Sequence, residues 1–460
     1  MTRAKGVFPV IPRRCKAPRD WLFNFEDVKV SNHEENSGTA ADNVTPIAAA
    51  KVGRPSLQKK YPTTAFPVEL EINYRKGRYS SSLENVVAAM RCHSVTGIQL
   101  AFDEFFAEEG AFVNGQWYPL SDNLVTELRL RLAAADFEKV TKDNARDAMF
   151  YVCDENKFDS AQRWLTAQEW DGKPRVSYFF ERCFKCQGDP EYLAAVSLYT
   201  WTALAGRVMN PGIKADMVPL LYGRQGARKS TGVRLMSPFP DSYSSFNLND
   251  KDDSLVRRMR GCLIGELEEL RGLHGRDSES VKAFFSAAHD EWVPKFKEFK
   301  VRNPRRVVFI GTTNNKQILN DSTGNRRYLP MNSGDVDCAA IEKNRSQLWA
   351  EALHLFNENG VMWEAAETLA RKVHDEFRVE DPWEDEIAEL LKIGVDDCEP
   401  TSFVPTKALF SQVGLMIGHT SNKQHQRMAA IMSRLGYEVG RKRINGALVR
   451  GYFRRTQAVV

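Results

Sequence analysis

A chain of 460 residues, 42% hydrophobic and 27% charged, has the composition of a globular protein with two to four domains and a sizeable core. No apolar run approaches the roughly 20 residues that span a bilayer, and the short, proline-broken patch in MTRAKGVFPVIPRRCKAP argues against a secretory leader. The net charge of +4 says little by itself, but residues 421–460 carry nine Lys/Arg against the single acid Glu438, a local basic surface suited to a polyanion.

Residues 1–80 lack sustained periodicity and include SNHEENSGTAADNVTP, so an irregular, flexible arm is expected there. Lys51, Arg54, Lys59 and Lys60 on that arm read either as nucleic-acid contacts or as a solvated linker. A domain over 81–190, α/β or mostly helical, follows. Helical patterns cover Leu83–Met90, Asp122–Ala134 and Thr141–Cys153, and extended segments flank the Asn114-Gly115 hairpin turn. Eight scattered cysteines with one C-x-x-C, Cys183 to Cys186, and no second ligand pair nearby read as reduced cytosolic thiols.

The apolar helix Tyr192–Arg207, with Tyr199 and Trp201 as core residues, leads to VPLLYGRQGARKSTGVRL, residues 218–235. This is a strand, a glycine-containing turn and a helix start, the layout in which backbone N–H groups face phosphate oxygens. Gly223, Gln225, Gly226, Ala227, Arg228, Lys229, Ser230 and Thr231 form the candidate nucleotide loop. Lys229 would meet the β/γ-phosphates, and the Ser230 hydroxyl would ligate Mg²⁺. Arg228 departs from the pattern G-x-x-x-x-G-K-[ST], which has glycine before the lysine.

A second strand, Cys262–Gly265, is expected to end in Glu266, Leu267, Glu268 and Glu269, acids placed at the carboxyl end of a strand where they could serve metal and water. After a helix Ser280–His289, EWVPKFKEFKVRNPRR alternates aromatic and basic residues. Lys295, Lys297 and Lys300 there read equally as contacts to single-stranded nucleic acid or as guards of an edge hairpin. A third strand, Val307–Gly311, runs into Asn314 and Asn315, amides suited to sensing a γ-phosphate, and Arg326 and Arg327 precede a fourth. A linker near Asp381-Pro382 leads to three helices (Asp385–Ile393, Lys407–Leu415, Lys423–Leu435) and a basic hairpin on Asn445-Gly446. That series describes a winged helix with Arg441, Lys442 and Arg443 on its wing.

The ordered series WDGKPR (170–175), PGIKAD (211–216), LLYGRQGARKST, GELEEL (265–270), FIGTTNN (309–315) and DSTGNRRYLP (321–330) resembles the virulence-associated protein E family of phages, prophages and pathogenicity islands, over roughly residues 85–350. The resemblance implies an α/β, AAA+-like P-loop ATPase core akin to superfamily 3 helicases, over 191–383, ahead of a winged-helix domain over 384–460. It implies a homo-oligomeric ring, a hexamer, on single-stranded or forked DNA, with ATP and Mg²⁺ as cofactors and replication partners such as a primase. In such a ring Lys229 and Ser230 bind phosphate and Mg²⁺, Glu266 is the Walker B acid and a metal ligand, and Glu268 or Glu269 shares the base role. Asn314 or Asn315 is the sensor, and one of Arg326 and Arg327 is a finger into the adjacent subunit. The hairpin with Lys295 and Lys297 falls where related helicases carry a DNA-tracking loop. Two other readings stay open: a catalytically weak origin-binding scaffold, and an AAA+ regulator of protein partners.

Overall fold

The computed structural model describes residues 62–270, 278–293, 299–316, 325–377, 381–392, 401–444 and 446–455. Within them the chain forms two compact units, one reaching to Ala161 and one beginning at Gln162. From sequence, the boundary is expected at 190/191.

In the first unit, strands Gln116–Pro119, Glu108–Val113 and Gln99–Asp103 are antiparallel neighbours, and Lys157–Phe158 joins the far edge in parallel. The expected turn is present, with Asn114 and Gly115 both at positive φ (52° and 76°), the backbone that a two-residue hairpin demands. Helices Leu83–Arg91, Asp122–Ala134 and Lys142–Glu155 cover the sheet. Each begins at a hydroxyl, Ser82, Ser121 or Thr141, that accepts an N–H three residues on. Val86, Met90, Leu128, Leu132, Phe137 and Met149 lie at the centre.

Residues 62–80 correct the expectation of an irregular arm to residue 80. Ile72–Asn73 pairs with Arg78–Tyr79, and Phe66, Leu70 and Tyr79 pack on the helical core. Their apolar side chains are too widely spaced to register as a period, yet each finds a buried partner. Residues 1–61, including Lys51, Arg54, Lys59 and Lys60, lie outside the described residues.

The second unit is built on five parallel strands: β1 Val218–Tyr222, β2 Tyr243–Ser245, β3 Ile264–Glu268, β4 Val308–Thr313 and β5 Tyr328–Asn332, in the spatial order β5-β1-β4-β3-β2. β4 is buried at every position and β1 at all but its last, the continuous apolar pattern of strands covered on both faces. The chain is thus a mixed α/β protein with a parallel sheet. Helix α1, Pro190–Met209, starts at the Asp189 cap and is buried over almost its whole circumference. Its Tyr199 hydroxyl donates to the Met217 carbonyl (2.8 Å) and accepts the Met217 N–H (2.9 Å), fixing the entry to β1. Trp201 stacks edge-on against Phe179 and against Trp349 of helix Cys338–Asn359.

Beyond the sheet, helices Pro382–Leu390, Thr406–Gln412 and Asn422–Arg434 enclose their own core of Ile387, Leu409, Phe410, Met428, Ile431 and Tyr437. The expected hairpin forms between Tyr437–Ile444 and Ala447–Arg454, with Asn445 itself outside the described residues. A third strand, Phe403–Pro405, pairs with the second arm of the hairpin and was not foreseen, because three residues ending in proline carry no period. Arg427 pairs with Asp381 (2.7 Å) and Arg434 with Glu384 (2.9 Å), tying the last helix to the first.

Candidate active site

The carboxyl ends of β1, β3 and β4 bring three distant stretches of sequence together. The turn after β1 needs glycine at 223, because a Cβ there would sit 2.3 Å from the Ser333 carbonyl oxygen. Gly226 and Arg228 both have positive φ (83° and 62°). Arg228 is therefore left-handed at the position where the phosphate-loop pattern calls for glycine, directly before helix α2, Lys229–Leu235. An L-residue pays about 1–2 kcal/mol for that backbone, and the Arg228 side chain is exposed.

Lys229 is buried. Its ammonium donates to the carbonyls of Gly223 (2.7 Å) and Arg224 (3.0 Å) and to the Asn314 side-chain oxygen (3.0 Å). Burial lowers its pKa from the ordinary lysine value, and the carboxylates of Glu269 and Glu266 oppose that fall. The Asn314 amide nitrogen in turn donates to Glu269 (2.9 Å), and Thr313 hydroxyl and Asn314 N–H approach the same carboxylate at 3.4 Å. Asn314 thus bridges the lysine and the glutamate. Glu269 and Leu270 are both left-handed, at φ 49° and 50°, an outlying backbone at the end of β3.

Glu266 differs from its expected setting. β3 runs on to Glu268, so Glu266 lies inside the strand and is wholly buried rather than standing after it. Its carboxylate accepts from Thr312 Oγ1 (2.5 Å) and from the Tyr243 hydroxyl, and these two partners make an acid tolerable in an apolar strand. Burial, then the bond to Glu266, raises the Tyr243 pKa, so that the hydroxyl stays a donor. Tyr243 was missed because it lies on a three-residue strand with no motif. Thr312 stood inside FIGTTNN but was passed over for the amides.

The remaining expected residues fall in three groups. Gln225 and Ser230 are exposed on the loop and at the first turn of α2, Ala227 is buried, and Thr231 is half-buried. Asn315 is exposed beside Asn314, its N–H donating to Thr313 Oγ1 (3.1 Å). Arg327 is engaged within its own chain, 3.7 Å from Asp216 and donating to Ser286 (3.1 Å), whereas Arg326 is exposed.

Strands His289–Trp292 and Val301–Pro304 form the arms of the expected hairpin, and His289 belongs to the arm, not to the helix, which ends at Ser286. Lys295 and Lys297 lie outside the described residues. Lys300 pairs with Glu291 in the opposite arm, and Phe299 is 80% exposed. At the root, the buried Arg305 guanidinium spans both oxygens of Asp290 (3.2 and 3.1 Å), and the Arg305 carbonyl accepts from Arg207 (2.8 Å) and from the Gly212 N–H (2.9 Å). Burial first, then the neighbouring Arg305 charge, lowers the Arg207 pKa to about 10.

On the C-terminal hairpin, Arg441, Lys442 and Arg443 are exposed, and Lys442 sits over the Phe403 ring. The antiparallel register sets Arg441 directly opposite Arg450, another exposed arginine. Among the described residues no group of three or more His, Cys, Asp and Glu side chains is arranged to hold a metal, and no helix is long and apolar enough to cross a membrane. Cys183 and Cys186 are both buried, and burial pushes the Cys183 thiol up to about 11.

This mixed α/β chain with its parallel sheet carries a recognisable domain. Residues 165–379 match the family model of the virulence-associated protein E-like domain. Among solved structures, the chain is similar to the apo structure of the NrS-1 C-terminal region, residues 305–718, at 13% identity and a TM-score of 0.48, over 80% of this chain and 99% of that one. Two A-form apo structures of the same region align at 13% identity with TM-scores of 0.47 and 0.46, covering 80% and 81% of this chain and 98% and 100% of theirs. No curated protein matches.

Proposed function

We propose that this chain is a P-loop ATPase of AAA+-like architecture that acts on DNA as a helicase, or a helicase-like motor, in the replication of a phage, prophage or pathogenicity island. The observation that carries the reading is the seat of Lys229. Its ammonium lies where loop carbonyls, Asn314 and two glutamates converge at the carboxyl ends of parallel strands, the crevice in which open α/β sheets bind ligands.

ATP with Mg²⁺ fits the donor set. Mg²⁺ usually takes one or two protein oxygens and completes its shell with substrate phosphates and water, and the exposed Ser230 hydroxyl at the first turn of α2 can supply one of them. The bound pair would supply the phosphoanhydride to be broken and the charge that shields it. Residues 223–231 orient the phosphates, Lys229 neutralises them, and Asn314 positions its neighbours on both sides. Glu269, exposed at the sheet end, is the acid better placed to draw a proton from water.

A ring of subunits, six by the family resemblance, completes the site in trans. Arg326, exposed, is assigned as the finger, since Arg327 is held by Asp216 and Ser286. Residues 384–460 are read as a winged helix whose last helix meets duplex DNA while the hairpin follows phosphate. The facing pair Arg441 and Arg450 supports this, because like charges directly opposite cost stability that a polyanion would relieve. Within this reading the ATPase core lies in the unit that begins at Gln162, and the residues up to Ala161 form a separate domain. The left-handed Arg228 favours one competing reading, an origin-binding scaffold with little turnover.

The deciding measurement is Mg²⁺-dependent ATP hydrolysis with and without single-stranded DNA. Wild type is expected to hydrolyse ATP, faster with DNA, and Lys229→Ala to lose at least about a hundredfold. Equal background rates in the two would leave the scaffold as the surviving reading, and no DNA binding at low salt would turn attention to protein partners.

A further inference from the structure

Glu266 occupies the middle of β3, between β2 on one side and β4 on the other, and a hydroxyl reaches it from each neighbour. Thr312 Oγ1 donates to one carboxylate oxygen at 2.5 Å, and the Tyr243 hydroxyl donates to the other. On the same face of the sheet lie the buried Ile264, Val308 and Ile310, with Ile310 directly beside Glu266 in the register. A buried acid gains nothing there that a well-packed apolar side chain would not supply. The charged groups facing this cluster are the Lys229 ammonium from α2, Glu268 on the same strand, Glu269 just beyond it and Arg234 from α2. A carboxylate offers about four lone-pair sites, so two donors fix its plane and leave capacity free.

We propose that Tyr243 is a positioning residue for the nucleotide chemistry: with Thr312 it locks the Glu266 carboxylate in one orientation beneath the phosphate loop, as a fixed charge. Glu266 is then the anchor of the site, and the transfer of a proton from water falls to Glu269. The inference rests on the ATPase reading and divides the work between two acids that the sequence left undivided.

Tyr243→Phe removes a single oxygen. In the full chain it is expected to lower kcat ten- to a hundredfold while KM for ATP stays within threefold, the signature of an interaction that matters in the transition state. Thr312→Val should behave alike, and Thr312→Ser, which keeps the hydroxyl, should recover most of the loss. A second arm needs no nucleotide. Tyr243→Phe should lower Tm in the wild-type background but leave it unchanged or raised in Glu266→Met, where the hydroxyl has lost its acceptor.

An equal fall in Tm in both backgrounds would mean that Tyr243 does not act through Glu266 and would overturn the inference. So would an unchanged kcat in Tyr243→Phe alongside an active wild type. A wild type no faster than Lys229→Ala would instead bring down the ATPase reading, and this inference with it.

Discussion

At the end of the parallel sheet Lys229 is buried and bonded to two carbonyls and an amide, whereas on the C-terminal hairpin Arg441, Arg443 and Arg450 stand exposed on one face that carries no acid on either strand. The first arrangement encloses charge and partners it from three segments far apart in sequence. The second spreads charge along one contiguous segment and leaves it to solvent. An enclosed cation is committed to one geometry, so single changes there should have large, localised effects. A spread of exposed cations acts through the summed field, so its effects should be graded and sensitive to salt.

The sharpest way to break this contrast lies at the asparagine pair. Asn314→Ala cuts both the link to Lys229 and the link to Glu269, and kcat for ATP is expected to fall about a hundredfold, while Asn315→Ala should cost under tenfold in the same steady-state assay. Equal losses would mean that the bridge is incidental.

On the hairpin, Arg441→Ala, Arg443→Ala and Arg450→Ala combined should lower the magnitude of the log K against log salt slope for duplex DNA by about 2 to 3, near 0.9 per phosphate contact. Each single change should take about a third of that. One arginine carrying the whole effect would place the hairpin with the enclosed sites instead.

The smallest expected effect is at the boundary of the two styles. Arg228 is an exposed cation on a strained backbone, and Arg228→Gly should raise stability in urea unfolding by about 1 kcal/mol as the left-handed cost disappears, less a few tenths for the looser unfolded chain. A loss of stability would show that the guanidinium supports the loop.

Much of this layout could be read from sequence where the signal is local. The strand, turn and helix over 218–235, the Asn114-Gly115 turn, the helix Asp122–Ala134 and the C-terminal hairpin each announce themselves within a few residues. What stayed hidden depends on partners elsewhere in the chain. Acids after an apolar run look like the end of a strand, so Glu266 was set outside β3. The structure keeps it inside because Tyr243 and Thr312, 23 residues before it and 46 after it, satisfy it. Tyr243 is invisible for the same reason: its value lies in an acid on the next strand. The choice between Arg326 and Arg327 likewise turns on Asp216 and Ser286, which no spacing rule connects to them.

The root of the 289–304 hairpin carries a mechanical consequence. Arg305 clamps Asp290 across the two arms, while its carbonyl is gripped by Arg207 and by the Gly212 N–H at the exit of α1. A tether would let a pull on the arms dissipate at their base. This joint is buried and bonded on both sides, so the base of the hairpin is fixed to the exit of α1 by side-chain and backbone bonds alike.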